Sequence, residues 1–160
     1  MSHSVTIRTQ TVTTGSSTIV INTGYLKTWS GILKFLQLAL GIVCVGIIGN
    51  EFNTFYGATA ECFFLVITTT FMIGTFILLL SCLMSLSTAS IISKTIYELL
   101  YHSIAFGLLL AASLTLLVHV NNNKRSRSYE LLLGASICGI INAAMYLFST
   151  VLALRTYRGF

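Results

Sequence analysis

Four long apolar runs, separated by short polar stretches, leave this chain few ways to fold. They cover approximately residues 31–49, 62–86, 97–120 and 131–154, and Asp, Glu, Lys and Arg enter them only near their edges, at Lys34 and Glu98. A helix needs roughly 20 mostly apolar residues to cross a bilayer. In hydrocarbon every backbone amide must be paired within the protein, which leaves helices or closed barrels. Runs of this length are helical in kind. The 160 residues are 55% hydrophobic and 8% charged, against about 25% charged in soluble domains. The expected fold class is all-α: an integral membrane four-helix bundle with short loops.

Residues 1–23 are rich in Ser and Thr and too poor in apolar groups to offset their ordering entropy, so a disordered cytoplasmic tail is expected there. They contain no apolar core of the signal-peptide kind, which leaves insertion to the first span. Residues 24–155 form the four-span domain, and 156–160 a short cytoplasmic tail. Tyr25, Lys27 and Trp29 have the composition of an interfacial entry, and Lys34 has a stem long enough to snorkel to the headgroups. Residues 87–94 form a short polar link. With both termini cytoplasmic, Arg8, Lys27, Lys34, Lys94, Arg155 and Arg158 lie inside and Lys124, Arg125 and Arg127 outside. The Lys and Arg bias favours that orientation, against the pull of the basic 124–127 cluster.

Small residues mark packing faces, because membrane helices associate where backbones approach closely. Ser103, Gly107, Ala111 and Thr115 form a stripe on the third span, and Gly134, Ala135, Cys138, Gly139, Asn142 and Ala143 form two on the fourth. The third and fourth helices are expected to pack together, and the same stripes also suit a homo-oligomer. Gln37 and Asn142 are polar groups that serve as contacts inside a bundle. Pro is absent, which suits uninterrupted helices rather than the broken ones of many transporters.

Lys94, Glu98 and His102 fall on one helix face at four-residue spacing. Ionisable groups in a span are functional candidates, here for a proton relay or cation site. The structural alternative is a Lys94–Glu98 pair at the cytoplasmic end, with His102 hydrogen-bonded one turn deeper. The four cysteines show no C-x-x-C spacing. Cys44 and Cys138 fit buried free thiols, and Cys82 is a candidate for palmitoylation near a helix end. No hydrolase, kinase or metal-ligand signature is present, so no catalytic residue, cofactor or metal is assigned and an enzyme is not expected. The few dispersed charges do not suit nucleic acid, and a net charge of +5 suits an anionic membrane surface.

Residues 24–34, Gly24-Tyr25-Leu26-Lys27-Thr28-Trp29-Ser30-Gly31-Ile32-Leu33-Lys34, are followed by Leu36-Gln37-Leu38. This polar entry, small-residue turn and basic residue ahead of a Leu-Gln-Leu run resembles the first span of MARVEL-domain proteins. The similarity is to the branch of chemokine-like-factor-like MARVEL transmembrane proteins, plasmolipin and the myelin-and-lymphocyte protein, with insect singles bar proteins as further relatives. Glu98 is similar to an acidic position of that family, whereas the basic third loop departs from its pattern. The Cys-Cys-Gly of tetraspanins and the paired loop cysteines of claudins are missing. The resemblance implies a multi-pass protein of the plasma membrane or of secretory and endocytic vesicles. Its partners would be membrane lipids and other membrane proteins, and its role would be organising membrane in vesicle trafficking, apposition, cell contact or fusion. Two other classes remain open: a small transporter or channel using Glu98 and His102, and an accessory subunit of a receptor or junction complex.

Overall fold

The computed structural model describes residues 23–52, 59–84, 86–92, 94–124 and 129–159. A short 3-10 turn, Thr23–Lys27, leads into α1 (Trp29–Phe52); then follow α2 (Thr59–Met84), α3 (Leu86–Ile92), α4 (Ile96–Asn122) and α5 (Tyr129–Arg158). Helices α1, α2, α4 and α5 are each long and apolar enough to cross a membrane. They extend a few residues beyond the apolar runs at most ends, because a helix continues into the interface where polar side chains are solvated. The polar link after the second run contains the short helix α3, which an apolarity count does not register. Most of the Ser/Thr-rich tail, residues 53–58 and the basic residues Arg125 and Arg127 lie outside the described residues.

The four long helices close a ring in which α1 packs on α2, α2 on α4, α4 on α5 and α5 back on α1. The expected association of the third and fourth spans is therefore present as α4 against α5, the most extensive pairing. Buried positions recur at alternating spacings of three and four. On α2 the series is Glu61, Phe64, Thr68, Phe71, Thr75, Leu78 and Cys82, with Leu79 beside it; on α5 it is Leu132, Ala135, Gly139, Asn142, Tyr146, Ser149 and Ala153, with Ser136 and Ala143 beside it. That seven-residue repeat goes with helices crossing at about 20° in a left-handed bundle.

Helix ends are set by local chemistry. At the start of α1 the Thr28 hydroxyl accepts a hydrogen bond from the Gly31 amide at 3.2 Å, which caps one of the free N–H groups. The same hydroxyl donates to the Tyr25 carbonyl at 2.7 Å, folding the 3-10 turn against the helix. A Cβ at Gly31 would sit 2.1 Å from that carbonyl, so the elbow requires glycine. Helix α5 ends where Gly159 takes φ +77, a conformation open to glycine.

Polarity is distributed inside-out. Lys34, Gln37, Thr68, Thr75, Glu98, His102, Ser113, Ser136 and Asn142 are all buried, while Phe35, Ile42, Val66, Phe76, Ile104 and Phe148 stand exposed around the outside. In water such a surface would aggregate; in a bilayer it is the solvated face, and the polar groups are removed from lipid by the bundle itself.

Candidate functional site

The polar groups concentrate at the end of the bundle where α1 and α4 begin and α2 and α5 finish. Lys34 lies five residues into α1 and Glu98 two into α4, so a rise of about 1.5 Å per residue sets both within about 8 Å of their helix starts. Helices α1 and α4 run parallel across the ring, which brings the two side chains face to face. The Lys34 Nζ donates to Glu98 Oε1. It also donates to Ser30 Oγ at 2.8 Å and to Tyr25 Oη at 3.0 Å, and lies over the Tyr25 ring at 5.7 Å. Burial pushes the Tyr25 phenol above its ordinary value, so it keeps its proton as a hydrogen-bonding group.

His102 sits one turn deeper than Glu98. Its Nε2 is 3.7 Å from Glu98 Oε1, beyond hydrogen-bond distance, and neither ring nitrogen has a hydrogen-bond partner. The ring is held instead between Tyr101 and Tyr146, at centroid distances of 5.3 and 5.7 Å. Below it, the Thr75 hydroxyl meets Tyr146 Oη at 2.6 Å and Tyr101 Oη at 3.1 Å. Both phenols also reach the Phe71 carbonyl. Gly74 makes room for Tyr101, whose hydroxyl oxygen would lie 2.5 Å from a Cβ there. On the α1–α5 side, Gln37 Nε2 donates to the Met145 carbonyl at 3.0 Å and to Ser149 Oγ at 2.7 Å.

Several sequence expectations change in detail. Lys34 does not snorkel: it is 1% exposed, because Glu98 supplies the counter-charge inside the bundle. Lys94 stands exposed in the turn before α4, and Glu98 pairs with Lys34 and not with it. Tyr25 turns into the bundle onto Lys34, whereas Trp29 is 76% exposed as an interfacial ring should be. On α4, Gly107, Ala111 and Thr115 point outward and Ser103 is half-buried; the face toward α5 carries Ala105, Leu109, Ala112 and Ser113 instead. On α5, Ala135, Gly139, Asn142 and Ala143 are buried, while Gly134 is half-buried and faces open space. Cys82 is 1% exposed, so an acyl chain on its thiol would require α2 to move. Cys44 is buried, Cys138 half-buried, and the four thiols are free.

The sequence singles out Glu98 and His102, and Tyr25 as an interfacial ring, but it does not pair Glu98 with Lys34 or point to Tyr101, Tyr146 and Thr75. The signal for the ion pair was available: parallel first and third spans place an early Lys and an early Glu at one depth. Among the described residues, no group of three or more His, Cys, Asp and Glu is placed to hold a metal ion.

Four apolar helices around a buried polar seam define a multi-pass membrane protein whose surface faces lipid. The chain matches the family model of MARVEL, the membrane-associating domain, over residues 25–152, and it belongs to that family. No curated protein and no solved structure matches it.

Proposed function

We propose that this protein is a non-enzymatic organiser of membrane domains, acting in vesicle trafficking, membrane apposition or cell contact and fusion, with both termini in the cytoplasm. The observation that carries the reading is the placement of polarity: an apolar perimeter toward lipid, with the polar side chains of the spans withdrawn into an interior where they pack among apolar ones. Such a body recognises lipids and other membrane proteins laterally through its outer faces. A groove of about 260 Å³ between the 3-10 turn and α1, lined by Leu26, Ile32, Phe35 and Leu36, suits an acyl chain at the membrane edge. The outward stripe of Gly107, Ala111 and Thr115 suits close approach of another membrane helix, including that of a second copy. The plasma membrane or vesicles of the secretory and endocytic route are the compartments that fit this role.

The test is depletion of the protein in cells that express it, followed by measurement of cargo delivery, contact formation and fusion. A defect in at least one, restored by the full chain, is the expected result; normal behaviour in all three would count against the reading. Stoichiometric co-purification with one receptor or junction protein would point instead to an accessory subunit.

One observation favours a second reading, a small transporter or channel: His102 is buried with unpartnered nitrogens beside Glu98. It predicts pH-dependent ion or solute flux in proteoliposomes that Glu98→Gln abolishes. Proteoliposomes that stay tight to protons, cations and small solutes across pH 5–8 would remove it.

A further inference from the structure

The Lys34–Glu98 pair has a third ionisable neighbour that takes no part in it. His102 is 0% exposed, both of its ring nitrogens lack partners, and its Nε2 stands 3.7 Å from the carboxylate oxygen that Lys34 already holds. That oxygen has one donor, Lys34 on α1, and a second nitrogen 3.7 Å away, that of His102 on α4. With a neutral imidazole, the buried cluster contains one positive and one negative charge. A proton added to His102 would leave one uncompensated positive charge, and isolated buried charges are expelled or neutralised.

The geometry decides which cation leaves. His102 is short and wedged between Tyr101 and Tyr146. Lys34 is long, and its other contacts, Ser30 Oγ and Tyr25 Oη, already lie toward the end of the bundle. Its ammonium can follow them to the headgroups while its stem stays packed.

We propose that the cluster is a proton-driven partner exchange. When His102 takes a proton from water, Glu98 passes from Lys34 on α1 to His102 on its own helix. Lys34 withdraws to the interface, and the Tyr25 elbow that rested on it loosens. Glu98 remains a carboxylate and Lys34 an ammonium throughout, so the only chemical change is one proton gained by the imidazole. One buried ion pair exists before the exchange and one after it. The groups around the exchange are Tyr25 from the 3-10 turn, Lys34 from α1, Cys82 from α2, Glu98 and Tyr101 from α4, and Tyr146 from α5. Phenols and thiols are neutral in the acidic range where imidazole titrates, so Lys34, Glu98 and His102 set the charge balance. The device would make the membrane-entry segment respond to an acidic compartment.

The exchange concerns the cluster already described and is independent of the trafficking reading, because purified protein tests it without a cellular assay. The single Trp of the chain, Trp29, lies five residues before Lys34 and is a native reporter on the elbow. The full chain in phosphatidylcholine nanodiscs is titrated from pH 7.5 to 4.5, following Trp29 emission and its quenching by acrylamide. A one-proton transition with about a twofold or larger change in quenching constant is expected, lost in His102→Gln and kept in His119→Gln. The same transition in a helical His102→Gln protein, or a flat wild-type profile, would overturn the proposal. Should His102→Gln fail to fold, carbon-13 NMR of labelled histidine in the wild type decides. His102, assigned by elimination with His119→Gln and His3→Gln, must titrate together with the Trp29 change, and a ring neutral down to pH 4.5 sinks the idea.

Discussion

Lys34 is the residue where charge and burial conflict most, and its energetics depend wholly on Glu98. Removing one partner of a buried pair leaves a charge without compensation and costs about 3–5 kcal/mol, whereas replacing both by apolar groups of similar volume is often neutral or stabilising. Glu98→Ala should therefore destabilise the protein by about 3–5 kcal/mol in denaturant unfolding from mixed micelles. The double variant Lys34→Met, Glu98→Leu should recover most of that loss. A double variant as unstable as Glu98→Ala would mean that Lys34 and Glu98 are not each other's main partner. Glu98 and His102 were legible in sequence because ionisable groups are conspicuous in a span. The burial of Lys34 was not, since a Lys at that depth can equally reach the headgroups, and its choice depends on a carboxylate 64 residues away.

At the scale of helices, close approach is set by single small residues on the inward seam. A Cβ at Gly139 of α5 would lie 2.4 Å from Ser113 Oγ on α4 and 2.6 Å from the Phe64 ring on α2. Three helices meet there, and the Ser113 hydroxyl is already bonded to the Leu109 carbonyl at 2.7 Å. Gly139→Ala should thus cost about 1–3 kcal/mol, the usual range for overpacking. Gly107→Ala is the contrast. Nothing lies within 4 Å of the added methyl, and replacing a mid-helix glycine gains roughly 0.5–1 kcal/mol, so this variant should be neutral or slightly more stable. Equal losses at the two positions, measured by the same unfolding assay, would place a partner helix on the outer face of α4. The sequence showed small-residue stripes on both spans but not which one faces inward. In lipid, both faces of a helix are apolar, so hydropathy carries no inside–outside contrast. The polar seam of Ser113, Ser136, Asn142 and Ser149 is the better guide, because hydroxyls and amides are moved out of lipid whereas glycines are indifferent to it.

For the whole molecule, the four-span count was legible from run length alone, and the one pairing expected, of the third and fourth spans, rested on their small residues. Orientation is a different matter, because it depends on which Lys and Arg residues face the aqueous phases. The structure alters that balance: Lys34 is neutralised inside the bundle by Glu98, so its positive charge no longer anchors the amino-terminal end. Lys27, Lys94, Arg155 and Arg158 remain at that end, with Lys124 at the other among the described residues. Each such charge near an anionic leaflet contributes about 1 kcal/mol, which still favours cytoplasmic termini. The sequence contains no N-x-[ST] acceptor, so an engineered one reports against a blank background. An acceptor within a short polar insertion between Asn123 and Tyr129 should be glycosylated when the protein is made in the presence of microsomes. One appended ahead of Met1 should not be. The reverse pattern would invert the topology and place the Lys34–Glu98–His102 cluster at the exoplasmic side. There it would meet the lumen of acidifying compartments directly, and the partner exchange at His102 would be driven from that side of the membrane.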